Sequence, residues 1–169
     1  MRNRERLRQL TSGNTTEILE ALRDIKLDYA TEPSDDVLDA GLKVMTHPEP
    51  DIRQQAVWAF CLHWGDKRTV PLLRALLDGR ETDLEVLCVA ARSVGSMFGQ
   101  RGGLDEETRR VLARVALDES QDAELRGISY ISLRLASGLL TSIEQSRLRI
   151  EDDIREQEVD WSWLRAAAE

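Results

Sequence analysis

The chain has 169 residues, 41% of them hydrophobic and 5% aromatic, with a formal net charge of −8 and a pI near 4.9. That length suits one domain, 1–169, with a sizeable core, and the acidic balance excludes general attraction to phosphate backbones or anionic membranes. No apolar run approaches the roughly 18 residues that span a bilayer, the start lacks the apolar core of a secretory signal, and two cysteines make no disulfide framework, so a reducing cytoplasm is expected.

From the amino terminus, MRNRERLRQ carries four Arg against one Glu and reads as a basic, solvated arm over 1–10. Apolar residues then recur at helical spacing. They predict helices at 15–30, 35–46, 51–64, 67–78, 83–98, 105–118, 123–139 and 142–157. Breakers such as EPSDD, HPEPD, DGRETD and DESQD fall between them. No alternating run of strand length stands out. The acid-rich EDDIREQEVD closes the last predicted helix. The final segment, 158–169, is expected to cap the chain, with Trp161 and Trp163 sealing the last apolar face. Its alternative role is a docking motif.

The predicted joints resemble one another, so the segments are compared as repeats. Laying Ile52 on Leu84 (a shift of 32) and Leu84 on Leu125 (a shift of 41) aligns three helices without gaps. An acid precedes each: Asp51, Asp83 and Glu124. Two columns are small throughout, Ala56/Cys88/Ser129 and Ala59/Ala91/Ser132. Small residues three apart let a second helix approach closely. LLRALLD, from Leu72, also lies on LARVALD, from Leu112. Each unit is then a helix pair that cannot cover its own apolar face, and stacking the pairs covers it.

DIRQQAVWAFCLHWGDKRTVPLLRALLD resembles a HEAT repeat of the short bacterial kind through Asp51, Ile52, Arg53, Ala56, Ala59, Gly65 and Asp66. The likeness runs over 45–140, with Glu85 and Cys88 departing from the pattern in the next unit. It implies an all-α, α-α superhelix: a HEAT-like solenoid of about four helix hairpins. It also implies that Asp51 and Arg53 tie neighbouring units together and that the second helices line the concave surface.

Candidate contact residues follow from the columns. Trp58 shares a column with Ala90 and Ile131 and is expected in the core, whereas Trp64 shares one with Ser96 and Ser137. A large aromatic in a wet column is a contact candidate; the alternative is cover for the adjacent turn. Arg74 and Arg114 share a column on the second helices, with Arg68, Arg109 and Arg110 nearby, forming a stripe able to grip carboxylates or phosphates. Exposed helical arginines are also ordinary. Arg101 lies in FGQRGGLDEET, expected as a flexible insertion on the binding rim. His63 is expected to be buried with a backbone partner, and Cys61 and His63 diverge too far round a helix to share a metal.

No catalytic, cofactor or metal constellation emerges. The expected function is a non-enzymatic protein–protein interaction module that binds another protein through its concave face and long loop. Its sharper form is an inhibitor or immunity protein of a bacterial toxin, the partner then being a basic toxin or nuclease. A HEAT-like nucleic-acid binder, or a DNA glycosylase-like enzyme using Trp58, Trp64 and Asp66, is the alternative, disfavoured by net charge. A phycobilin-lyase-like chaperone ranks last.

Overall fold

The computed structural model of the chain describes residues 2–141, 144 and 159–169, and every regular element among them is helical. Helix α1 spans Arg2–Leu10, α2 Thr15–Leu27, α3 Asp35–Val44 and α4 Pro50–Val57, which continues as a π-helical turn, Trp58–His63. A 3-10 turn at Lys67–Thr69 leads into α5, Val70–Ala75, followed by a second π-type turn at Leu76–Arg80. Helices α6 (Leu84–Arg101), α7 (Glu106–Leu117), α8 (Ala123–Ala136) and α9 (Trp161–Ala168) follow. The helix expected at 142–157 lies outside the described residues. No helix among the described residues is long and apolar enough to cross a membrane.

Local chemistry sets the helix starts. The side chains of Asn14, Asp83, Asp105, Asp122 and Asp160 each accept a hydrogen bond from a first-turn backbone N–H, satisfying donors that the helix itself leaves open. Each helix then buries one stripe. In α2 these are Ile18, Ala21, Leu22 and Ile25, at the i, i+3, i+4, i+7 spacing of an amphipathic helix.

The molecule is an all-α solenoid. Helices α2, α4, α6 and α8 lie side by side in one layer, while α5, α7 and α9 form the other. Helix α3 joins the second layer through Arg68, whose guanidinium lies 3.3 Å from Asp35 and 3.6 Å from Asp39. The small columns do what their spacing predicts: Ala56, Ala59, Cys88, Ala91, Ser129 and Ser132 are all buried. A Cβ added to Gly95 of α6 would stand 2.9 Å from the Cα of Ser132 on α8, so these helices meet backbone to backbone.

Arg53 links successive units, as the resemblance implied. Its guanidinium donates to both carboxylate oxygens of Glu81, at 2.6 and 2.8 Å, and to the carbonyls of His47 and Pro48, at 2.8 and 2.7 Å. Burial pushes the Glu81 carboxyl up, but Arg53 and the backbone N–H groups of Thr82 and Asp83 outweigh it and leave it below the usual range. The carboxylate partner is thus Glu81; Asp51 is exposed in the first turn of α4.

Two expectations need correction. Residues 2–10 are not a solvated arm but α1, which packs on both α2 and α3. Arg2 and Arg6 lie one turn apart on the same helix face; Arg6 turns inward, and Arg2 stays exposed at the rim. Arg6, 1% exposed, donates to Asp24 and Asp28 at 2.7 Å each and to the Thr31 carbonyl at 3.1 Å, and Arg2 reaches Asp28 at 2.7 Å. Burial raises the Asp28 carboxyl pKa, yet hydrogen bonds from Ala30, Thr31, Arg2 and Arg6 hold it well below the ordinary carboxylate range. Likewise, FGQRGGLDEET is not a long loop. Helix α6 continues to Arg101, and only 102–105 separates it from α7. Gly102 (φ 64°) and Gly103 (φ 80°) supply the left-handed backbone of that short turn.

Candidate interaction surfaces

Five of the arginines predicted to contact a partner, Arg68, Arg74, Arg109, Arg110 and Arg114, are engaged within the chain. Arg68 meets Asp66 at 3.0 Å as well as the α3 carboxylates, and Arg74 of α5 reaches Asp105 at 3.3 Å and Glu107 at the start of α7. Arg114 of α7 reaches back to Asp78 at 3.3 Å. Arg109 and Arg110 share Glu106, the latter at 3.4 Å. The stripe therefore consists of ion pairs, most of them clasping one second-layer helix to the next, with each guanidinium against a carboxylate and Arg109 and Arg110 sharing one. Arg101 ends α6, and its side chain lies outside the described residues.

Trp58 is not in the core, contrary to the column comparison. It is 45% exposed, while its column mates Ala90 and Ile131 are buried. The Lys26 ammonium stands 5.1 Å from the centre of its ring, a cation–π contact. Trp58 itself keeps α-helical backbone angles, φ −59° and ψ −51°, and the next column stays in register, with Ala59 buried. Trp58 lines the groove between α4 and α6, where a ring larger than Ala90 or Ile131 remains partly open to solvent. After it, α4 passes into a π turn closed by Trp64 N–H to the Ala59 carbonyl at 3.4 Å, which turns less per residue than an α turn and shifts the phase of the side chains that follow.

Trp64 is half-buried. Its indole N–H donates to the Ile25 carbonyl at 3.4 Å, pinning the turn to α2. It also lines a cleft of about 240 Å³ with Glu32, Pro33, Leu38 and Asp66. His63, expected to be buried, is half-buried between aromatic edges, 4.6 Å from the Tyr29 ring and 5.3 Å from Trp64 by centroid. Tyr29 and Leu27 are 82% and 68% exposed. Sequence reasoning missed both. The available signal was phase: Leu27 falls two residues after Ile25, off the stripe that α2 buries.

Two further concavities matter. The larger, about 650 Å³, lies where the loops between units meet and is lined by His47, Arg53, Leu76, Arg80 and Glu81. The smaller, about 120 Å³, is a groove between α4 with its π turn and α6, walled by Trp58, Leu62, Cys88 and Val89. Cys61 is buried with its sulfur 3.9 Å from that of Met45, and burial pushes its thiol up to about 12. Burial, reinforced by the charge of Glu124, does the same to Cys88. Among the described residues no three His, Cys, Asp or Glu side chains gather as a metal would require.

A family model described as HEAT repeats matches residues 38–134, more than half of the chain. No curated protein and no solved structure matches it.

Proposed function

The chain belongs to the HEAT-repeat family, and from that premise we propose that it is a non-enzymatic scaffold whose first-layer face, around Trp58, holds another protein. The exposure of Trp58 carries the proposal. It stands half in solvent in a column buried elsewhere, and Tyr29, just past the end of α2, is exposed against His63 of the same π turn. Large aromatics at the centre of a partly dry surface supply most of the energy in protein interfaces. π turns recur at functional sites.

This moves the contact from the second-layer arginines and the rim insertion to the opposite layer. The arginines have carboxylate partners already, and the insertion lengthens a helix. The immunity or inhibitor form of the proposal rests on the net charge of −8, which favours a basic partner such as a toxin or nuclease. The glycosylase-like alternative is weakened, because Trp64 and Asp66 line one cleft and Trp58 another, and Asp66 is paired with Arg68. A lyase-like role is weakened by the burial of both cysteine thiols.

The test is co-purification from the native host with three baits. A partner held by the wild-type chain should be lost from Trp58→Ala/Tyr29→Ala and retained by Arg74→Glu/Arg114→Glu. Loss from the arginine variant alone would return the contact to α5 and α7.

A further inference from the structure

We infer that the groove between α4 and α6 receives an apolar side chain flanked by lysine or arginine, so that the partner docks through a basic amphipathic segment. This rests on the scaffold reading above and specifies its partner.

The groove has the size and lining for one side chain. Its volume is about 120 Å³, its walls are Trp58, Leu62, Cys88 and Val89, and Trp58 stands over it with nearly half its surface open. Apolar anchors seat in such grooves when an amphipathic helix lies along the surface. The charges at its edge are unbalanced. Glu85 and Glu124 line it, and Arg92 is the one cation among the described lining residues. Arg92 lies 3.5 Å from Glu124. Among the described residues, Glu85 accepts from the neutral amide of Gln54, at 3.2 Å. Burial raises the Cys88 thiol pKa first, and the Glu124, Glu85 and Asp122 carboxylates raise it further against Arg92, in keeping with a net negative groove edge.

On the other side of Trp58, Lys26 already occupies the ring. A second cation there would be repelled, so an incoming lysine or arginine is directed toward Glu85 and Glu124. A second copy of this chain is a poor occupant, since two chains of charge −8 repel.

The probes are a fluorescein-labelled amphipathic Leu/Lys peptide, its Leu/Glu counterpart and a Ser/Lys counterpart, read by fluorescence anisotropy at low salt. The Leu/Lys peptide should bind, and the other two should not. Glu85→Gln/Glu124→Gln should weaken binding by roughly tenfold, whereas Glu20→Gln/Glu119→Gln, the same change in net charge at exposed sites elsewhere, should change it less than about twofold. Equal losses in both variants, or equal binding of the Ser/Lys peptide, would overturn the inference, because attraction to overall charge would then suffice. Native melting curves for both variants establish that they fold. If the host partner depends on Trp58 but ignores Glu85→Gln/Glu124→Gln, the scaffold stands and the basic segment falls. If Trp58→Ala/Tyr29→Ala leaves partner capture intact, the scaffold's contact face falls first.

Discussion

Gly95→Ala tests the stacking of α6 on α8 directly. Replacing a helical glycine by alanine ordinarily stabilises by about 1 kcal/mol. Here the new methyl would meet the Cα and Cβ of Ser132 at 2.9 Å each, and its Oγ at 3.0 Å. A backbone atom cannot rotate away, so the two helices must separate. Overpacking of this kind costs about 1–3 kcal/mol, and a backbone clash belongs in the upper half of that range. The balance is a net loss of about 1–2 kcal/mol. For a domain of this size it lowers the melting temperature by roughly 3–6 °C. Thermal and urea unfolding measure it, with Gly99→Ala as the companion. At Gly99 the nearest atom is the Leu135 side chain, Cγ at 2.6 Å, and Gly99 itself is exposed. Leu135 is buried and its Cγ sits next to its own Cβ, so only a change of its χ1 rotamer relieves the contact, and that variant should lie between Gly95→Ala and wild type. A Gly95→Ala protein as stable as wild type, or one less affected than Gly99→Ala, would refute the backbone contact.

Arg53→Met should cost about 2–4 kcal/mol, because it strands the buried Glu81 carboxylate, and Glu81→Gln in the same background should recover part of the loss in urea titrations. The folded-state pKa values of Asp28, Glu81 and Asp105 lie below their ordinary values. Their contribution is therefore complete above the unfolded carboxylate range, about 4, and is lost as pH falls through the folded values. Melting temperature should be nearly level from about pH 7 to 5 and drop below about pH 4, and Asp28→Asn should flatten part of that drop. A drop beginning near neutrality would contradict the assignment. Cys61 and Cys88 should resist thiol reagents at pH 8 in the native state and react fully in denaturant, since both thiols are pushed up to about 12. Rapid native labelling of Cys61 would show that its helix is not packed as described, and rapid labelling of Cys88 that the α4–α6 groove admits the reagent.

The stacking register was legible because it depends on residue size. Ala56, Cys88 and Ser129 recur at the same helical position, and all three are buried between helices. Arg53 was legible from its resemblance to a HEAT ladder, although its partner Glu81 lies 28 residues away and had no local signal. Charge was less informative. Arg74 and Arg114 share a column, but whether a guanidinium faces solvent or a carboxylate depends on where α7 sits relative to α5, and spacing along one helix does not encode that. Trp58 was misplaced for a different reason. Its column is apolar, but apolarity does not say how much of a ring as large as indole the neighbouring helix covers. An arginine on a short basic stretch is usually solvated; Asp24 on α2 and Asp28 just past its end make the burial of Arg6 tenable.

The unequal length of neighbouring helices has a further effect. Helix α6 has 18 residues and α8, packed beside it, has 14. At about 1.5 Å per residue, four extra residues project roughly 6 Å, a full turn. A row of near-identical units would let an elongated ligand slide by one unit and still find equivalent footing. A ledge at one place along the row removes that degeneracy and gives such a ligand a single alignment.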